Sequence, residues 1–298
     1  MTSPIDTAPP TAPPTVIASD LDRTLIYSPA ALALPMPDAD APRLLSVEVH
    51  QGRPQSFMTE TAGDLFAALT EDPRAVLVPT TTRTRKQYLR INFPGRAPQY
   101  AICANGGHLL INGVTDYDWH VSVRRALAAD CATQAEVADH LRTTADPAWL
   151  LKDRDAEGLF RYLVVERALL PDAWVKDLTD WAEPRGWTVS LQGRKLYAVP
   201  APLTKSAAVA EVARRTGGGT VLAAGDSLLD GDLLLAADHG WRPGHGELAA
   251  DGWTAPHVTA LRSHGVLSGE EILRAFRAHL DRHGPADRSA RPDRLAPA

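Results

Sequence analysis

The apolar run Thr15-Val16-Ile17-Ala18 stops at Asp20-Leu21-Asp22-Arg23-Thr24, so what reads as a short buried strand delivers two carboxylates from its end. Side chains at i and i+2 of an extended chain point the same way. In an open α/β sheet the strand ends border the crevice where ligands bind. Two acids aimed into one crevice repel each other unless a cation lies between them. Taken alone, the pair is equally well an acidic turn after a strand, because Asp is common in turns. The rest of the chain decides between these readings.

Similar apolar runs recur at Ala75–Pro79, Tyr100–Cys103, Thr220–Ala224 and His257–Leu261, each predicting a further strand. Helical patterns alternate with them. One follows a cap at Thr59 or Thr61, carries Leu65, Phe66 and Leu69 as its stripe and stops at Asp72-Pro73. Others fit Arg83–Ile91, Lys205–Thr216, Asp232–Ala237 and Ser268–Leu280, and Leu44–Met58 reads as a hairpin arm turning near Gln51-Gly52-Arg53. Between Asp116 and Val199 the texture changes. It predicts a helix over Val121–Thr144, a strand over Leu159–Val165, a helix over Asp172–Glu183, and a hairpin of Trp187–Leu191 with Lys195–Val199. The economical architecture is an α/β core from 15–112 and 200–280, split by an α+β insertion over 113–199, with disordered tails at 1–14 and 281–298.

Composition excludes several classes. At 298 residues the chain can bury a substantial core, and a net charge of -5 supplies no basic field for nucleic acid. Cys103 and Cys131 are the only cysteines, too few for a disulfide framework and without metal or redox spacing, which fits a reducing cytoplasm. No apolar stretch is long enough to cross a bilayer, and Met1–Pro14 lacks the basic start and apolar centre of a secretory signal.

A second acid cluster, Gly225-Asp226-Ser227-Leu228-Leu229-Asp230, follows the strand ending at Ala224. Parallel strands would bring it to the same sheet edge as Asp20 and Asp22, where these carboxylates can jointly hold a hard divalent cation. Magnesium suits such a site, because it keeps several waters and needs few protein ligands. Thr81 ends another strand, and Lys205 opens a helix after Pro200-Ala201-Pro202-Leu203-Thr204. A hydroxyl and an ammonium are what a phosphoryl group in transfer requires around it. Singly, each is an ordinary cap or a solvated charge.

The order Asp-x-Asp-x-Thr, strand-end Thr, Lys, Gly-Asp-x-x-x-Asp resembles the haloacid dehalogenase superfamily, over about Thr15 to Leu280. The insertion between Thr81 and Lys205 matches the branch with a C2-type cap. Ala104-Asn105-Gly106-Gly107, Leu196–Pro200 with Thr204-Lys205-Ser206, and Gly265-Val266-Leu267 look like Cof-type sugar-phosphate phosphatases, and Thr81-Thr82-Arg83-Thr84-Arg85 is similar to a segment of mannosyl-3-phosphoglycerate phosphatases. The resemblance implies a Rossmann-like three-layer α/β/α core and a magnesium-dependent phosphatase acting on a small phosphorylated metabolite, as a monomer or homodimer, with no nucleic-acid or membrane partner. It also implies roles. Asp20 would be the nucleophile and Asp22 the general acid and base, with Thr81 and Lys205 holding the phosphoryl group. Thr82, Asn105 and Gly106 would join Thr81 and Lys205 in binding substrate. Asp20, the main-chain carbonyl of Asp22, and Asp226 would hold magnesium, with Asp230 supporting its water shell or orienting Lys205.

Two positions depart from the family pattern. Arg23 stands where most relatives carry Gly, and its side chain is expected to leave the crevice; Leu229 replaces an Asn that often supports the phosphate or metal shell. Alternatives are a phosphosugar mutase, which would need a bisphosphate activator, and a catalytically weak phosphate-binding regulator. Gly217-Gly218-Gly219 lacks phosphate-loop spacing and reads as a helix-to-strand turn. The histidines are expected on surfaces and loops. Arg154, Arg161, Arg194 and Lys195 in the insertion are candidates for contacting a leaving group, each of which is by default a solvated charge.

Overall fold

The computed structural model describes residues 12–283, so most of both expected tails lies outside the described residues. Five parallel strands form the central sheet in the order Val258–Ala260, His239–Arg242, Val221–Ala224, Thr15–Ser19, Ala75–Pro79. Ser19 is in register with both Ala224 and Pro79. The segments that follow these three strands therefore emerge side by side at one edge. Tyr100–Cys103 is bridged to Thr80 in parallel through Ile102 and leads an antiparallel trio with His108–Ile111 and Val114–Thr115.

Alternation along the first strand builds the layers. Ile17 faces a core with Leu77, Leu222, Phe66, Leu69, Ile272 and Phe276. These place helices Glu60–Glu71 and Val266–His283 on one side. Val16 and Ala18 face Val78, Ala223, Val209, Val212, Leu233 and Leu234, which places helices Lys205–Arg215 and Gly231–Ala236 on the other. The architecture is thus α/β/α, as expected. Thr59 caps its helix by accepting from Ala62 N at 3.0 Å.

Chain 117–200 builds a four-stranded antiparallel sheet in the order Trp187–Gln192, Lys195–Pro200, Phe160–Val165, Leu150–Ala156. Its apolar side is closed by helices Gln134–Thr144 and Asp172–Ala182, with Val137, Leu141, Leu163, Leu178 and Leu196 buried in a cluster of their own. Several expected elements change here. The single helix over Val121–Thr144 is two, Tyr117–Asp130 and Gln134–Thr144, because Cys131 is extended and Thr133 caps the second by accepting from Glu136 N. Leu150–Ala156, whose sequence is mostly charged, is a strand because it edges the sheet against Phe160–Val165. In the core, the expected helix over Arg83–Ile91 shortens to Arg85–Tyr88, started by the reciprocal Thr84–Gln87 cap. His239–Arg242 was not anticipated. The last helix runs to His283, so the tail expected from 281 begins later; Asp281 is held by Arg74 at 2.9 Å and Arg277 at 3.2 Å.

The core turn at Ala104–Gly106 is clamped to the segment by which the chain returns from the inserted sheet. Ala104, Asn105 and Gly106 have φ of 50, 55 and 102°, and Asn105 Nδ2 donates to Leu203 O at 2.7 Å. A Cβ on Gly106 would lie 2.1 Å from Thr204 O. Gly113 also has positive φ, +81°, but its Cβ would meet nothing closer than 3.9 Å. Gly113→Ala should therefore cost only the left-handed backbone penalty of about 1–2 kcal/mol, whereas Gly106→Ala adds a backbone collision and should lose clearly more. Urea unfolding of both variants measures this, and equal losses would show that the two segments are not tightly apposed.

Candidate active site

The sheet edge gathers residues from four distant segments. Asp20 N donates to Ala224 O at 2.9 Å, which keeps the first strand paired up to its acid, and Thr24 Oγ1 donates to Asp20 Oδ2 at 3.3 Å. Lys205, the first residue of its helix, is wholly buried and donates from Nζ to Asp20 Oδ1 at 2.6 Å and to Asp230 Oδ1 at 2.5 Å. Asp230 Oδ2 accepts from the backbone N–H groups of Asp226 and Ser227 at 3.0 and 2.9 Å and from Ser227 Oγ at 2.7 Å. Both oxygens of Asp230 are thus committed to shaping the loop and aiming Lys205. Gly225 permits this, since a Cβ there would sit 2.3 Å from that of Asp230.

Electrostatics separates the acids. Burial pushes Asp20 up to about 7 against the pull of Lys205, with Asp230 and Asp22 adding repulsion. Burial, then Asp20 and Asp230, raise Asp226 well above the usual carboxylate range. Burial also opposes the charge on Lys205, but Asp20 and Asp230 more than offset it and hold the ammonium form. Asp22 behaves oppositely. Burial acts upward, yet Arg83 wins and brings it to about 2, through a fork of Nε and Nη2 at 2.8 Å each.

Carboxylate oxygens of Asp20, Asp226 and Asp230 lie within 4.8 Å of one another. The donors suit a hard divalent cation: all are oxygens, and Asp226 is nearly buried, with Arg23 at 3.6 Å as its ion-pair partner. Gly246, at φ +92°, leaves room beside it, because a Cβ there would stand 2.6 Å from Asp226 Oδ2. Of the trio, Asp226, paired only with Arg23, and Asp20 through Oδ2, which accepts only from Thr24, could hold a metal. The Asp22 carboxylate is turned to Arg83.

Thr81 is buried at the end of Ala75–Pro79, its N–H bound to Ile102 O and its Oγ1 accepting from Arg83 N at 3.1 Å. Asn105 N donates to Thr81 O, while its side-chain amide is spent on Leu203 and Oδ1 is buried without a partner. Gly106 packs on the Thr204 carbonyl just before Lys205. Asn105 and Gly106 thus stand at the joint behind the lysine. Thr82, next to Thr81, is partly buried.

Three expectations change. Arg23 does not leave the crevice: at φ 64° its side chain reaches Asp226. Leu229 is buried in the apolar cluster of the inserted sheet, so it joins that sheet to the core where a polar side chain would not. Not every histidine is superficial, since His108 and His279 are buried and His108 stacks on His120 with ring centroids 4.3 Å apart. Sequence reasoning also missed a network behind Asp22. Arg83 Nη1 binds Glu48 Oε2 at 2.7 Å, Arg90 binds Glu48 Oε1, and Ser56 Oγ donates to Glu48 Oε2 at 2.8 Å. The Thr-Thr-Arg segment was the available signal for Arg83; nothing local marks Glu48, which sits in a hairpin arm.

No family model and no curated protein matches the sequence. Solved structures do match. Sucrose-phosphatase from Synechocystis sp. PCC6803, solved with sucrose and phosphate, aligns over 91% of this chain and 98% of its own at 15% identity and a TM-score of 0.56. The C-terminal domain of Candida albicans (C. albicans) trehalose-6-phosphate phosphatase aligns over 90% and 94% at 13% identity and 0.57. A subclass IIB sugar phosphatase of the haloacid dehalogenase superfamily aligns over 89% and 98% at 11% identity and 0.54. The fold is that of the haloacid dehalogenase phosphatases. Coverage of about nine-tenths of both chains means that the inserted sheet as well as the core follows the haloacid dehalogenase pattern.

A raised carboxyl lowers stability as pH climbs, because the folded state holds the proton after the unfolded chain has released it. Metal-free protein should therefore lose stability from about pH 4 upward, through about 7 for Asp20, as Asp20 and Asp226 are forced to ionise. A divalent cation held by these acids should restore it, by an increment that grows with pH as protons stop competing for the ligands. Thermal melting with magnesium and with chelator checks this, and Asp226→Asn should abolish the increment.

Proposed function

We propose that this protein is a magnesium-dependent phosphatase that hydrolyses a small phosphomonoester, a sugar phosphate or similar metabolite, through a phosphorylated Asp20. The observation that carries the reading is the Lys205 ammonium fixed between Asp20 and Asp230, with Thr81 ending one adjacent strand and Asp226 following the other. The sugar phosphatases with the same fold support the substrate class. Chain 113–199 then serves as the cap over a core of 15–112 and 200 onward.

Asp20 Oδ2 is the attacking atom, since Oδ1 is committed to Lys205. Its attack on phosphorus displaces the alcohol and leaves an aspartyl phosphate, which water then cleaves to regenerate the carboxylate and release phosphate. Lys205 and the Thr81 hydroxyl hold the phosphoryl oxygens as their charge redistributes. Asp20, Asp226 and the Asp22 carbonyl would hold magnesium, which when bound offsets phosphate charge and screens the neighbouring acids. Arg83 keeps Asp22 ionised in the resting site, so the base that takes the proton of the attacking water is set before substrate arrives. Substrate binding loosens that fork and lets Asp22 take up a proton from solvent, which it gives to the departing alcohol, so that the carboxylate is restored to accept the proton of the attacking water. Cap contacts close the site to polymers: Arg85 binds Glu157 at 3.1 Å, and Ser190 Oγ donates to Glu247 Oε2 at 3.3 Å.

Asp20→Asn should abolish phosphate release while circular dichroism and melting stay folded. With p-nitrophenyl phosphate, whose leaving group needs no proton, Asp22→Asn should release one equivalent of p-nitrophenol per enzyme in a burst. Turnover should then settle about 10²–10⁴-fold below wild type, because only the water step has lost its base. Stopped-flow absorbance reads both phases. A variant with no burst and a uniformly slow rate would move Asp22 out of the water step.

A further inference from the structure

Lys195 differs from Arg161 and Arg194, two other cations of the cap, in where its side chain is turned. Register places Ser190 opposite Tyr197, Tyr197 opposite Tyr162, and Gln192 opposite Lys195, so these side chains share one face of the cap sheet. That face looks onto the core, since Ser190 reaches Glu247 and Lys195 lies within electrostatic range of the Asp22 carboxylate. Arg161 belongs to the other face, where it pairs with Asp153 at 2.5 Å. Arg194 turns back toward Val165 O.

Protein surrounds Lys195 on most sides, yet solvent reaches it, as befits the wall of a cleft. No carboxylate lies within ion-pair distance of its ammonium among the described residues, and it makes no hydrogen bond there. Asp22, the carboxylate that acts on it, is already paired through the two-pronged Arg83 contact. A lysine within a neighbour's electrostatic reach, but with no ion-pair partner of its own among the described residues, is placed to take an anion. Tyr162 and Tyr197, with ring centroids 5.6 Å apart, wall it with a surface suited to a carbon chain. Lys152 and Arg154 share this face but stand two strands away, opposite Val164 and Tyr162, and the nearby Arg83 fork is spent on Asp22, so the Lys195 ammonium balances a single charge and suits a carboxylate better than a second phosphate dianion.

We propose that Lys195 binds a carboxylate on the leaving group, so that the preferred substrates are phosphorylated hydroxy acids over neutral sugar phosphates. This rests on the phosphatase reading and narrows its substrate class. The matched probes are 6-phosphogluconate and sorbitol 6-phosphate, which differ only in a carboxylate replacing a hydroxymethyl group. Calorimetric Kd values are measured on magnesium-loaded Asp20→Asn protein, which needs no turnover, and steady-state KM and kcat on the wild type. The expected result is a preference for 6-phosphogluconate of about 10–100-fold in Kd and in KM, with kcat nearly equal. Lys195→Met should collapse that ratio to near unity, and Lys195→Arg should restore most of it. Equal binding of the two probes, no binding of either, or a preference that survives Lys195→Met overturns the proposal. Phosphate release from p-nitrophenyl phosphate is followed alongside, so that a missing carboxylate preference in an active enzyme is told apart from the absence of phosphatase activity.

Discussion

A lysine ammonium sealed between two carboxylates is the interaction on which the rest of this site depends. Lys205 joins Asp20, 185 positions away in the chain, to Asp230, 25 positions away, and so ties two strand ends and a helix start into one rigid edge. A buried ion pair is poor evidence of net stability, but removing one partner strands a charge at a cost of about 3–5 kcal/mol. The triad therefore fixes geometry more than it adds stability. Asp230 gives both its oxygens to that purpose, which leaves Asp20 and Asp226 as the acids with free coordination. Because burial raises both of those, the edge carries a standing deficit of positive charge that a divalent cation satisfies.

A second polar network acts on the far side of the same edge. Glu48 and Ser56, from the hairpin arm, hold Arg83, and Arg83 holds Asp22. Neighbouring aspartates two residues apart are thereby driven in opposite directions, Asp20 toward protonation and Asp22 toward full ionisation. Divergent environments of this kind are how one short motif supplies two different chemical roles. Arg23 follows the same logic. A non-glycine residue at positive φ is strained, by about 1–2 kcal/mol, and the strain places its guanidinium beside Asp226.

Much of the core was legible in the residues because its signals are local. Apolar runs marked four of the five central strands, and Thr59 announced the helix it caps. The fifth strand, His239–Arg242, was not visible: its residues His239, Gly240, Trp241 and Arg242 form no apolar run, and they extend because strands on both sides pair with them. Leu150–Ala156 was hidden for a related reason, being an edge strand with charged side chains turned to solvent. In the site, Asp20, Thr81, Lys205, Asp226 and Asp230 were readable from their order along the chain. Arg83, Glu48 and Ser56 were not, because what makes them matter is a set of hydrogen bonds between segments far apart in sequence.

By itself the sequence determined the layered α/β class and the chemical types gathered at the strand ends, since periodicity and motif order are properties of neighbouring residues. Only the tertiary structure decided which acids cluster together and which faces an arginine, that Leu229 packs under the cap, and that Lys195 is set on the cap face toward the core without an ion-pair partner among the described residues. Those outcomes depend on desolvation and on charges brought together from remote segments, and such energies exist only once the chain has closed around them.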